Sequence, residues 1–292
     1  MSIMFMKIRS VARGHGGNAV AQSAYIARDR LRDAATSRVH DYRVIPGLQH
    51  AEILLPTGTT ASGAEWARDR NALWNAAEAA ERPRNARVAR EYTVALPHEL
   101  GSEARLELAR TFAQQIADRY RTPVDLAVHG PSARGDPRNH HAHILATTRE
   151  LDGNGLGRKA TIELGNAQRH QMGLRHMAYE YRELRALWAG LANERLRDAH
   201  VAARLEPRSR ATLAREQARE AAAVVPEVPA ATATLPSTTP AERAPSIEQM
   251  QQRAAAAWLA MREGQGRAPS SPRATERTRD RGLDAGLDEG AG

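Results

Sequence analysis

Asn139-His140-His141-Ala142-His143-Ile144-Leu145 alternates histidine with small or branched apolar residues. Side chains of a β-strand point to opposite faces in turn, so His141 and His143 share one face while Ala142, Ile144 and Ala146 share the other. One face then belongs to a core. The other carries two imidazoles at i and i+2, a spacing that suits a divalent ion. The same pair on an exposed strand would be an ordinary surface cluster, so a third ligand decides. Val124-Asp125-Leu126-Ala127-Val128-His129 is a strand pattern ending on histidine. Residues 130–140 follow it, with Gly130, Pro131, Gly135 and Pro137, the composition of a hairpin loop. Pairing of the two strands would bring His129 beside His141 and His143. Three histidines on one side of an ion leave positions open for substrate oxygens, as a catalytic site requires. His140 faces the other way and is expected to lie outside this set.

Outward from these strands, strand and helix patterns alternate. Ile3 to Val11, Gln49 to Leu55 and Ala89 to Leu96 read as strands, the last two stopped by Pro56 and Pro97. Asn18 caps a helix expected to run to about Asp33. Ser62 and Glu65 form a capping box for a helix to about Glu81. Ser102 starts a helix with Leu106, Ala109, Ala113, Ile116 and Tyr120 on one stripe, and a later long helix carries Leu184, Trp188 and Leu191. The expected fold is α+β: an open, mainly antiparallel five-stranded sheet flanked by helices.

The first helix contains Tyr25. At about 100° per residue, Val20, Ala24, Ala27 and Leu31 form its buried stripe, and Tyr25 lies roughly 140° from Val20. It stands off the core among small residues. A phenolic oxygen is a competent nucleophile once a metal or base lowers its proton affinity; a half-buried aromatic at a helix edge is the plainer account of the same position.

The 292-residue chain carries 42 lysines and arginines against 34 acidic residues, a formal net charge of +8. Almost all of this positive charge is arginine, which forms bidentate contacts with phosphate. A basic chain of this kind is often a nucleic-acid binder, although a genome rich in arginine codons gives the same composition. With no cysteine there is neither a disulfide framework nor a thiolate metal site, and no apolar run approaches the roughly 20 residues of a membrane helix. A cytoplasmic protein without membrane insertion is expected. Gly14-x-Gly16-Gly17 lacks the lysine and spacing of a nucleotide-binding loop. Beyond Val225 the texture changes: residues 226–245 are rich in Pro, Ala and Thr, and residues 264–292 are small, charged and Gly-rich. Such composition predicts a disordered tail, with one candidate helix over residues 246–263.

These pieces together resemble the MobA/MobL family of plasmid mobilisation relaxases, members of the HUH endonuclease group. The resemblance covers about Met1 to Ser209. It rests on Arg13-Gly14, Ala19-Val20-Ala21, Ala24-Tyr25 and Glu52-Ile53-Leu54-Leu55-Pro56. It continues through Leu73-Trp74-Asn75, Ala89-Arg90-Glu91, Ala95-Leu96-Pro97 and His141-Ala142-His143-Ile144. Trp188-Ala189, Ala192-Asn193 and Arg208-Ser209 close it. The family often has proline where this chain has His140, and an acidic residue where it has Thr93. The resemblance implies a relaxase domain over residues 1–209, followed by a helical extension over 210–225 and the tail over 226–292. It implies that Tyr25 is the nucleophile, that His129, His141 and His143 bind Mg²⁺ or Mn²⁺, and that Glu91 is an acidic helper; Glu52 is a further candidate. The implied reaction nicks one strand at a plasmid origin of transfer, leaves a 5′-phosphotyrosine link and later rejoins the strand. Implied partners are single-stranded origin DNA, accessory mobilisation proteins and a type IV secretion coupling protein, with passage into the recipient cell. A rolling-circle initiator using Tyr179 or Tyr181, and a non-catalytic DNA-binding accessory protein, are the alternatives.

Overall fold

The computed structural model describes residues 5–59, 64–208 and 215. In chain order the regular elements begin with β1 (Met6–Ala12), α1 (Ala19–Ala27), β2 (Arg30–Arg32), β3 (Val39–Asp41), β4 (Leu48–Leu54) and α2 (Arg70–Ala80). Next come β5 (Arg87–Ala95), α3 (Ser102–Tyr120), β6 (Val124–His129), β7 (His141–Thr147), β8 (Arg149–Asp152), β9 (Gly155–Lys159), α4 (Asn166–Gln171) and α5 (Met177–Asp198). The five longer strands form one sheet in the order β1-β5-β7-β6-β4, and every neighbouring pair is antiparallel. The expected α+β architecture is therefore the observed one, with each strand edge shifted by only a few residues. β2 pairs with β3 and β8 with β9 in two small hairpins.

Helices cover both faces. Strand alternation sends Tyr92, Val94, Val124, Leu126, Ala142 and Ile144 to one side, where α3 and α5 bury them with Phe112, Ile116, Leu184 and Trp188. Phe112 and Trp188 are fully buried there, with ring centroids 5.1 Å apart. Each such side chain contributes on the order of 1.5–3 kcal/mol through burial. The other side takes Val11, Ala89, Ala127 and Leu145, covered by Val20 and Ala24 of α1 and Leu73 and Trp74 of α2.

Two helix boundaries differ from the expectation. Asn18 caps α1 as expected, its side chain accepting from the Ala21 amide at 2.7 Å. The helix stops at Ala27, however, not near Asp33. Arg28 adopts the left-handed conformation, and its amide donates back to the carbonyls of Ala24 and Tyr25. Leu31 continues the helical stripe on paper, but β2 carries it into the core instead. Asp33 closes the hairpin by accepting from the amides of Ala35 and Thr36, a local bond that competes with helix. Further on, α2 begins at Arg70, capped by the Asp69 side chain through the Ala72 amide at 2.7 Å. Glu65 lies in a separate short 3₁₀ turn, Glu65–Arg68, while Ser62 is outside the described residues. The proposed extension over 210–225 (Arg215 apart), the tail over 226–292 and its candidate helix also lie outside them. Among the described residues no helix is long and apolar enough to cross a membrane.

Candidate metal centre and tyrosine cleft

β6 and β7 pair so that His129 stands opposite His141 and Ala127 opposite His143. The three imidazoles meet on the α1 side of the sheet, with ring centroids 5.1 to 5.3 Å apart. One nitrogen from each lies within 4.8 Å of the others, close enough for one ion. The expected juxtaposition of His129, His141 and His143 is thus present. His140 is outside the cluster. It precedes β7, and burial together with the charges of Arg105 and His98 lowers its pKa.

Each imidazole has its second nitrogen engaged. His129 Nε2 lies 2.6 Å from the carbonyl oxygen of Ile26 in α1. His141 Nδ1 lies 3.1 Å from the Asn139 carbonyl, and His143 Nδ1 lies 2.6 Å from Glu91 Oε1. Carbonyls and a carboxylate only accept, so each of these nitrogens is the protonated one. The remaining nitrogens, His129 Nδ1 and the Nε2 atoms of His141 and His143, are left as lone-pair donors. This outer shell of acceptors fixes tautomer and ring orientation in metal centres. Burial pushes the His129 pKa down to about 4, against the opposing bond from Ile26, and burial also lowers that of His141. Both are neutral at neutral pH, the state that binds a cation. The donor set therefore fits a divalent ion.

Glu91 is almost fully buried. Burial would raise its carboxyl pKa, but the hydrogen bond from His143 and the charge of Arg9 outweigh it and hold it below the usual range. Its carboxylate is taken up by His143, by an ion pair with Arg9 and by Gln22 of α1 at 3.3 Å. Thr93 stands opposite His143 in the β5–β7 register. Glu52 points to the α3 face, where it pairs with Arg110 at 2.7 Å and with His50 at 2.9 Å.

Tyr25 is 41% exposed, as its place on the helical wheel requires. Its ring packs edge-on against Tyr42, centroids 5.4 Å apart, and the Arg28 guanidinium covers it at 4.5 Å from the centroid. Its hydroxyl has no hydrogen-bond partner among the described residues. A cleft of about 540 Å³ near His98 and Asn139 is larger, but the one beside Tyr25 is the cleft that matters to this site. That cleft, of about 250 Å³, is lined by Arg9, Ser10, Asn18, Gln22, Tyr25 and Tyr42 among others. Gly17 is required in its wall, because a Cβ there would sit 2.8 Å from the Ala12 backbone. The neighbouring residue Ile26 connects α1 to His129 through the bond above. Tyr179 and Tyr181 lie on α5, across the sheet, where Tyr181 accepts from Arg90 at 3.0 Å.

Asp125 went unrecognised in the sequence. This fully buried carboxylate receives Ser23 Oγ of α1 at 2.6 Å, Trp74 Nε1 of α2 at 3.0 Å, and Arg70 Nε and Nη2 at 3.0 and 3.1 Å. It ties the helix bearing Tyr25 to the strand bearing His129. An acidic residue inside the apolar run Val124–Val128 was the available signal.

The MobA/MobL family profile matches residues 18–224. Mobilization protein MobL of Acidithiobacillus ferridurans is 32% identical over 233 residues, covering 72% of this chain and 59% of that protein. The probable conjugal transfer protein TraA of Sinorhizobium fredii (strain NBRC 101917 / NGR234) is 32% identical over 203 residues, covering 65% of this chain and 17% of its own length. The chain thus spans only part of these relatives. A solved structure described as "Molecular Basis of Vancomycin Resistance Transfer in Staphylococcus aureus" superposes with a TM-score of 0.57 at 26% identity, covering 71% of this chain and all of that one.

Proposed function

This chain belongs to the MobA/MobL family, and we propose on that premise that it is a conjugative relaxase that nicks single-stranded DNA at a plasmid origin of transfer. One observation carries the reading: Tyr25 and the three histidines lie on the same side of the sheet, joined through the Ile26–His129 bond, while Tyr179 and Tyr181 lie on the other. In the proposed reaction the Tyr25 hydroxyl oxygen bonds to phosphorus and the bond from phosphorus to the 3′ oxygen breaks. The phenolic proton leaves to solvent and the departing 3′ oxygen takes one up. The products are a 5′-phosphotyrosine and a free 3′-hydroxyl, and the phosphoester link conserves the bond for rejoining. His129, His141 and His143 would hold Mg²⁺ or Mn²⁺, which when bound supplies Lewis-acid polarisation of a phosphate. Glu91 acts as a positioning residue that holds His143 in its donor tautomer.

The chemistry is assigned to residues 1–209, with 210–225 as an extension and 226–292 as a tail used in export. The names of the relatives, mobilization and conjugal transfer proteins, support a role in DNA transfer; on this reading the partners are origin DNA, accessory mobilisation proteins and a secretion coupling protein. On the same reading the protein acts in the cytoplasm before transfer. The test is incubation of the full chain with a labelled single strand carrying the origin, with Mn²⁺ or with EDTA. A covalent adduct that maps to Tyr25 and vanishes with EDTA is expected. An adduct at Tyr179 or Tyr181 would favour the replication-initiator alternative, and binding without an adduct the accessory protein.

A further inference from the structure

Arg28 combines four features that a helix-ending residue does not need. Its backbone is left-handed, with φ 50°, a conformation glycine or asparagine adopts more readily than arginine. Its guanidinium lies over the Tyr25 ring, anchored by Nη1 donating to the Tyr25 carbonyl at 2.8 Å. Its Nε is buried without a hydrogen-bond partner. It forms no ion pair with any described carboxylate. Two residues before it, the Ile26 carbonyl meets His129 Nε2 at 2.6 Å, so the same helix end borders the histidine cluster.

A guanidinium with no carboxylate partner keeps its charge available for an incoming anion. Other arginines of this face have carboxylate partners, Arg9 with Glu91 and Arg70 with Asp29 and Asp125, so the surface does not lack carboxylates in general. Arg28 has no carboxylate partner, although it covers the Tyr25 ring and ends the helix whose Ile26 carbonyl meets His129. The guanidinium fork matches two phosphate oxygens, and an anchored fork loses little freedom on binding them. Resting on the nuclease reading above, we propose that Arg28 binds the scissile phosphate, so that one cation touches both the nucleophile ring and the target. Charge that builds on the non-bridging oxygens as the Tyr25 oxygen attacks is then met by a donor already in place. The left-handed backbone is explained by the same role, since it brings the side chain back over Tyr25 instead of continuing along the helix.

The test uses the full chain loaded with Mn²⁺ and a labelled single strand carrying the origin. Arg28→Met keeps the stem over the ring and removes the charge. It is expected to slow adduct formation by roughly 10²–10³-fold, the loss typical of one transition-state donor. Removing one phosphate contact should also flatten the dependence of log affinity on log salt by about 0.7. Arg28→Lys should recover part of the rate. Arg28→Gly favours the left-handed turn, so it guards against misfolding, and sub-denaturing guanidinium should partly restore its activity. A purely structural role would show neither rescue nor a changed salt slope. An Arg28→Met adduct rate within about threefold of wild type, with an unchanged slope, overturns the assignment. A wild-type chain that binds the strand but forms no adduct overturns the nuclease reading itself.

Discussion

The two faces of the sheet come from the same alternating strands, yet they are held in different ways. The α3/α5 face is mainly apolar contact: Tyr92, Leu126, Ile144, Phe112 and Trp188 close on one another, with the buried Arg90–Glu163 pair beside them. The α1/α2 face has a smaller apolar cluster and relies on buried carboxylates. Asp125 fastens α1 and α2 to β6, Glu91 fastens β5 to His143, and Glu78 accepts the Ala19 amide at 2.6 Å and pairs with Arg13. Apolar packing is tolerant of direction, whereas a hydrogen bond fixes both distance and angle. The first face is held mainly by apolar burial; the second relies more on directed bonds that fix side-chain positions.

That division can be broken most sharply at Tyr25. Tyr25→Phe should abolish the covalent adduct while leaving strand affinity within a few-fold, whereas a Tyr179→Phe, Tyr181→Phe double variant should keep it; gel analysis of labelled DNA reads both. Next in size, His141→Ala or His143→Ala should nearly eliminate Mn²⁺ binding by calorimetry, and His140→Ala should leave it intact. An effect of His140→Ala equal to theirs would defeat the assignment of faces.

The apolar face should respond in another currency. Phe112→Ala should cost about 3–5 kcal/mol in urea unfolding while the folded fraction retains its metal affinity. Glu91→Gln should do the opposite, leaving the unfolding midpoint close to wild type and weakening metal binding by roughly 10–100-fold. The smallest effect is one of acidity. His129 has its pKa pushed down from the ordinary 6.5 to about 4, so between these values the unfolded chain takes up a proton that the folded chain does not. Stability of the metal-free protein should fall as pH drops through that window. His129→Gln should flatten the profile in urea melts at pH 7 and pH 5.

Much of this was legible in the chain itself. The His141–His143 alternation identified its strand, its faces and, with His129, the cluster, because period-two patterning is local and strong. Tyr25 was visible by helical arithmetic for the same reason. The β2–β3 hairpin was not, since Leu31 satisfies the helical stripe of α1 as well as it does the strand, and only tertiary contact chooses between them. Glu91 could be singled out by resemblance, but its partner His143 is 52 positions away, and no spacing rule reaches that far. Asp125 was hidden for a like reason: its partners Ser23, Arg70 and Trp74 come from two helices far upstream.

The Ile26–His129 bond spans 103 positions and the Ser23–Asp125 bond 102. Protein synthesis is vectorial, so Tyr25 leaves the ribosome long before His129, His141 and His143. β1 must also wait for β5, and the middle of the sheet for β7. Contacts of such separation form late and slowly. A ribosome-bound chain ending before His143 therefore displays Tyr25 while the histidine cluster is still incomplete.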